Sequence, residues 1–194
     1  MKKNQFKFNL GVSIFGLAFM LMSSLLLSGC KEDISTEAYA TKTEPTLIDK
    51  IDEKSDELSS IRKLLDEVKL GNKSNSSSMT SVLSARGNYT VFAPNDEAVK
   101  QCVIELTGDE TGNIESLSYE QKQLIVLNCI IDNGDASAYE SVEFPTSNQT
   151  FALSNLNNRR LKCMQDAESH DYFINGDATS GSRVVETDYE CTNG

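Results

Sequence analysis

The segment Tyr89-Thr90-Val91-Phe92-Ala93-Pro94-Asn95-Asp96-Glu97-Ala98 constrains this chain more than any other, because it changes secondary structure within a few residues. Thr90, Val91 and Phe92 are β-branched or aromatic and favour an extended backbone on a half-buried surface. Pro94 has no N–H to give to a ladder and ends the strand. Asn95 or Asp96 then supplies a side-chain oxygen to the free N–H groups of a helix that Glu97 and Ala98 begin. A short strand that runs directly into a helix needs a core to bury both.

The N-terminus reads as an export signal. Lys2, Lys3 and Lys7 precede an apolar run from Leu10 to Leu27 broken only by Gly and Ser, the charge-then-apolar order of such segments. The run ends in Leu27-Ser28-Gly29-Cys30, which matches the bacterial lipoprotein signal: small residues admit the peptidase, and the Cys30 thiol carries diacylglycerol. A transmembrane reading of the run is set aside because Cys30 stands at the cleavage position and a polar stretch follows. The expectation is a protein cut at residue 29 and held to a membrane by acyl chains, palmitate among them, at about 0.8 kcal/mol per buried CH₂. Lys31-Glu32-Asp33 resembles the tag that sends lipoproteins to the outer face of some outer membranes, with a periplasm-facing anchor as the alternative.

All 29 acidic residues follow Gly29, whereas three of the 18 Lys and Arg precede it, so 15 basic side chains stand against 29 acids and the exported part carries −14. Such a balance repels a phosphate backbone, and the longest basic run is Arg159-Arg160, so nucleic acid is not expected as a partner.

Residues 30–47 lack apolar periodicity and read as a lipidated tether. From Ile48 the apolar positions Ile51, Leu58, Ile61, Leu64, Leu65 and Val68 recur at three- and four-residue steps, which predicts one amphipathic helix with Gly71 as its C-cap. A coiled coil is disfavoured because Ser55 and Arg62 fall where its seam would continue. A Ser/Asn-rich loop, a short helix around Met79 to Ala85 and a turn at Arg86-Gly87-Asn88 lead into the Tyr89 segment. Leu117-Ser118-Tyr119-Glu120-Gln121 reads as a capped helix start, with Leu124, Ile125, Leu127 and Cys129 as the buried face and a turn at Asp132-Asn133-Gly134 after it. Four short strands follow, Thr150 to Leu153, Arg160 to Met164, Tyr172 to Ile174 and Arg183 to Thr187, in a meander.

The Tyr89–Ala98 segment resembles the first signature of fasciclin-like domains, carried here by Thr90, Val91, Phe92, Ala93, Pro94 and Asp96. The order of the later elements, with Asn175-Gly176, Val184-Val185-Glu186-Thr187-Asp188 and Thr192-Asn193-Gly194, is similar to the rest of that family over residues 48–194. The resemblance implies an α+β fold: a β-sandwich or wedge of short strands with several helices packed on it. It also implies a further apolar strand after Asn193-Gly194, so the domain over 48–194 is expected to be incomplete at that end. Many members carry a Tyr-His pair implicated in adhesion. Here Asn128 and Cys129 stand in that place, which makes them the candidate adhesion position.

With Cys30 lipidated, Cys102, Cys129, Cys163 and Cys191 permit three disulfide connectivities. Cys102 with Cys129 on helices and Cys163 with Cys191 near strands are the favoured pairs. Their wide spacing argues against a metal site, and none is expected. Ser169-His170-Asp171 has the letters of a catalytic triad, but consecutive side chains diverge, and it reads as a polar hairpin loop. Adjacent acids such as Asp109-Glu110 and Asp66-Glu67 read as solvated surface.

No nucleophile motif or phosphate loop appears, so neither an enzyme nor a cofactor is expected. The family resemblance implies an adhesion or interaction module at the cell surface that meets an extracellular protein or glycan. The rival reading is a glycan-capture accessory to an outer-membrane transporter. It needs exposed aromatic rings, and Trp is absent.

Overall fold

The computed structural model describes residues 44–71 and 76–194. The signal, Cys30, Lys31, Glu32, Asp33 and the tether up to residue 43 lie outside the described residues.

Helix α1 (Leu47–Glu53) starts at a reciprocal cap, in which the Thr46 hydroxyl accepts from Asp49 N at 3.3 Å and the Asp49 carboxylate accepts from Thr46 N at 2.8 Å. Leu47, Ile48 and Ile51 are buried, so the fold begins ahead of Ile48, where the tether was expected to run on.

The predicted single helix is two. Helix α2 (Ser55–Glu67) follows a break at Lys54, and Leu58 inside it departs from helical geometry at φ −119°, ψ 20°. Six polar residues, Asp52 to Glu57, separate Ile51 from Leu58, and bending there lets both apolar stripes face one core. The end differs too. Val68 is the C-cap in extended geometry, and its carbonyl accepts Met79 N at 2.8 Å, while Gly71 lies beyond the Lys69–Ser78 bridge with φ 92°. Burial of Val68 draws the backbone out of the helix before the glycine is reached.

Helix α3 (Met79–Leu83) is capped by Ser78. Strand β1 (Tyr89–Val91) pairs antiparallel with β2 (Ile130–Asp132), Thr90 opposite Ile131. Helix α4 (Asp96–Thr107) is capped by Asn95, which accepts Ala98 N at 2.9 Å, and stops at Gly108 in the left-handed region. Asp96 is therefore free to accept Ser59 Oγ and Ser60 N, each at 2.7 Å, tying α4 to α2.

Helix α5 (Tyr119–Asn128) opens with the predicted capping box of Ser118 and Gln121. Its buried face differs from expectation: Ile125 and Val126 are buried, while Leu124, Leu127 and Cys129 are half-buried. Helix α2 and the end of α4 both lie against α5, so burial does not follow one stripe.

The remaining strands, β3 (Gln149–Thr150), β4 (Lys162–Gln165), β5 (Tyr172–Ile174) and β6 (Ser182–Val184), form the expected antiparallel meander in chain order. Three have shifted edges. Val185 to Thr187 leave the sheet because Glu186 pairs with Lys54 and Asp188 with Ser141. Phe151 still donates to the Leu161 carbonyl at 2.9 Å, but the chain then turns around Asn155.

The apolar residues form two clusters. Ile61, Leu64, Leu65, Val99, Val103 and Val126 belong to the helical one, and Ile131, Phe144, Phe151, Leu161, Cys163 and Ile174 to an aromatic one under the meander. The β1–β2 ribbon lies between them: Tyr89, Val91 and Ile130 face the first, Phe92 and Ile131 the second.

Asn193, 2 % exposed, fastens the helical side. Its carbonyl oxygen Oδ1 accepts Leu47 N at 2.9 Å, its amide donates to the Leu83 and Ala85 carbonyls at 2.6 and 2.8 Å, and its backbone carbonyl accepts Tyr89 N at 3.0 Å. Asn193→Ala leaves three backbone groups without their partner, and at about 1–3 kcal/mol for each such group the loss is comparable to Leu64→Ala in the core, about 2–5 kcal/mol. Urea unfolding of the two variants is expected to give similar falls in midpoint, with Asn193→Asp nearly as low because a carboxylate cannot donate to the two carbonyls.

Candidate functional site

A groove of about 720 Å³ runs beside β1. Its floor comes from the sequence signature itself, Val91, Phe92, Ala93 and Pro94, together with Phe144, Leu161 and Ile174 from the aromatic cluster. The register of the ribbon explains why β1 borders an opening. Phe92 N donates to the Cys129 carbonyl at 2.9 Å, and Asn133 N to the Asn88 carbonyl at 2.8 Å, so the even-numbered residues bond to the β2 side. Tyr89 and Val91 turn their backbone groups the other way, and the bond from Tyr89 N goes to Asn193.

The candidate adhesion residues line the same groove. Asn128 ends α5, and its Oδ1 accepts from Asn155 and Asn157 at 3.2 and 3.1 Å, while its carbonyl accepts from Asn155 at 3.0 Å. Those bonds hold the 155–159 turn to the end of α5. The Cys129 thiol donates to the Ile125 carbonyl at 3.2 Å, and burial pushes it up to about 12, with the nearby Cys102 adding to the shift. Such a thiol stays protonated and unreactive at neutral pH.

Charge gathers at the mouth. Lys54 pairs with Glu186 and lies 5.2 Å from the centre of the Tyr189 ring. Arg183 pairs with Asp171 at 3.0 Å. Arg159 and Arg160 are exposed and have no carboxylate partner among the described residues. Sequence reading treats Arg159-Arg160 only as too short a run for nucleic acid. Its place beside an apolar groove depends on the Asn155 turn, and no local pattern announces it.

Other sequence-marked residues lie elsewhere. Ser169, His170 and Asp171 form the β4–β5 turn, His170 with φ 61° and Asp171 paired with Arg183. Cys163 and Cys191 are not brought together: Cys163 belongs to the aromatic cluster in β4, whereas Cys191 packs on the helical cluster beside Lys50, so the pairing expected of them has no geometry. None of these four thiols forms a disulfide in the structure. Among the described residues no three His, Cys, Asp or Glu side chains converge as metal ligands do. Among them, too, no helix is long and apolar enough to cross a membrane.

One wall of the groove is held by Asp188, which accepts Ser141 N at 2.8 Å and also the Ser141 hydroxyl. Burial pushes the Asp188 carboxyl up, but the two bonds from Ser141 and one from the Thr187 side chain together outweigh it and hold it below the usual carboxylate range. A carboxyl lowered by folding stabilises above its unfolded pKa of about 3.9, and that contribution is lost as pH falls through the folded value. Thermal unfolding is therefore expected to show Asp188→Asn below the parent at pH 6, with the gap closing as the pH is taken toward 3.

A family model described as the Fasciclin domain matches residues 56–194. Comparison with curated proteins finds no match.

Proposed function

This chain belongs to the fasciclin domain family, and we propose that it is a non-catalytic interaction module held by lipid on Cys30 at the outer face of the cell. Fasciclin domains act by contact, and the α+β fold of short strands found here is theirs. The observation that supports a binding role is the groove: an apolar floor with two arginines at its mouth that pair with no carboxylate among the described residues, on a chain whose net charge is −11. A surface of that kind favours an extended protein segment with apolar side chains and an acidic group, which the arginines would meet with bidentate bonds.

Glycan capture is less well supported. Two of the rings that border the groove are engaged, Phe144 edge-on to Phe151 and Tyr172 at 5.6 and 5.5 Å, and Tyr189 beneath Lys54, which leaves less open face for a sugar to stack on.

The anchor rests on the Lys-rich start, the apolar run and Leu27-Ser28-Gly29-Cys30, and the outward direction on Lys31-Glu32-Asp33. Protease added to intact cells is expected to remove the domain, and Cys30→Ala is expected to move it from the membrane to the soluble fraction. A domain protected on intact cells while degraded after lysis would place it facing the periplasm and end the surface reading. On a panel of immobilised extracellular matrix proteins, the double change Arg159→Glu and Arg160→Glu is expected to lower binding at least tenfold with no change in Tm, and binding by the parent is expected to weaken as salt rises.

A further inference from the structure

The dipeptide Asn-Gly occurs three times in the chain, at 133–134, 175–176 and 193–194. An asparagine in this setting can lose its side-chain amide, because the N–H of a residue without a side chain approaches the Asn carbonyl carbon Cγ freely. The fold treats the three differently. Asn133 is 5 % exposed, its amide donates to the Ser137 carbonyl at 3.0 Å, and Gly134 N is already spent on the Asp132 carboxylate at 3.0 Å. Asn193 is 2 % exposed, and its amide donates to two carbonyls. Asn175 is exposed, and among the described residues neither its amide Nδ2 nor Gly176 N has a hydrogen-bond partner.

Both residues of the open pair are fixed by the turn that joins β5 to β6. Asn175 follows β5 at φ 61°, in the left-handed region that asparagine tolerates. A Cβ on residue 176 would stand 2.4 Å from Gly181 N, so that position has to be glycine. The turn also prepares the carbonyl. Asn175 Oδ1 accepts Lys162 N at 3.0 Å, a donor held in advance where negative charge develops when Cγ is attacked.

We propose that Asn175-Gly176 is a self-modification site at which the folded chain deamidates. Gly176 N gives its proton to solvent base and attacks Asn175 Cγ. The bond from Cγ to Nδ2 breaks, and the amide leaves as ammonia with a proton returned by the solvent. The product is a five-membered succinimide. Water then opens the ring, at Cγ to give aspartate or at the backbone carbonyl to give isoaspartate, which carries one extra carbon in the main chain. Oxidation states are unchanged, and water is the only co-reactant. Either product puts a carboxylate on the groove wall that Asn175 shares with Leu161 and Ile174. Isoaspartate also disturbs the pairing of β4 with β5, because Asn175 N donates to the Lys162 carbonyl while its Oδ1 accepts Lys162 N, both at 3.0 Å, and the extra carbon changes the spacing between those two groups.

Trypsin separates the three sites: cleavage after Lys122, Arg159, Lys162 and Arg183 gives peptides 123–159, 163–183 and 184–194, each with one Asn-Gly. The purified full chain is kept at pH 8.5 and 37 °C, folded in one sample and unfolded in guanidinium in another, and every time point is digested briefly near pH 6.5 beside an unaged control. Fragment masses then locate the conversion of amide to acid. In guanidinium all three asparagines are expected to convert. In the folded sample Asn175 is expected to convert at least about tenfold faster than Asn133 or Asn193, which must first break their buried bonds, and its peptide is expected to accept a methyl group from an isoaspartyl methyltransferase. Asn175→Gly, which keeps the left-handed backbone, should leave peptide 163–183 without either change. An Asn175 that survives in the folded chain while converting in guanidinium, or conversion of Asn133 or Asn193 at a matching rate in the folded chain, would overturn the proposal.

Discussion

The β1–β2 ribbon packs one apolar cluster against each of its faces, and the rest of the fold follows from that. Three residue pairs cannot stand alone in water as a sheet. The ribbon persists because its side chains alternate between two apolar clusters, Val91 and Ile130 into the helical one and Phe92 and Ile131 into the aromatic one. Thr90 is the exception in type and fits for a physical reason: its hydroxyl donates to Asn133 Oδ1 at 3.1 Å and accepts Tyr139 N at 2.8 Å, so a buried polar group is satisfied twice. A one-residue slip would exchange the two faces and send Thr90 into the helical cluster, which fixes the register firmly.

Burying a short ribbon also buries the irregular backbone at its ends, and asparagine resolves the difficulty. Asn133, Asn155 and Asn193 are all under 9 % exposed, and each uses its amide in both directions. Asn133 accepts from Thr90 and donates to the Ser137 carbonyl, while Asn155 accepts from Asn157 N and Arg159 N and donates to the Asn128 carbonyl. Asn193 does the same between α1 and the end of α3. An acid at any of these places could not donate, and an apolar residue would leave buried backbone groups unpaired.

Features set by neighbouring residues were legible in the sequence: the strand-to-cap segment, the Ser118–Gln121 box and the order of the meander. The resemblance added the family, which the match over residues 56–194 bears out. What escaped depends on distant partners. Nothing near Ile51 says that α1 and α2 bend to share a core, and nothing near Val68 says that its burial ends the helix before Gly71. The groove is farther still from local reading, since Phe92, Asn128, Arg159 and Val184 reach it from four separate segments. Asn193 lay inside a recognised closing pattern, yet its three side-chain bonds run to Leu47, Leu83 and Ala85, more than a hundred residues earlier.

Net charge and local charge point in opposite directions here, and for the proposed binding role the local one would govern recognition. A chain at −11 repels anionic partners at a distance, but salt screens charge over about 8–10 Å, and in the lining of the groove Arg159 and Arg160 are accompanied by Glu57, while Glu186 and Asp188 are held by Lys54 and Ser141. The other cations at the mouth are already spent, Lys54 on Glu186 and Arg183 on Asp171, so their charge is largely cancelled. Arginines without a carboxylate partner among the described residues, on an otherwise acidic surface, would give discrimination rather than general stickiness. On the proposed reading, a strongly anionic polymer would be kept away by the whole, whereas a mostly apolar segment with one or two carboxylates would meet little long-range repulsion and find its counter-charge on arrival.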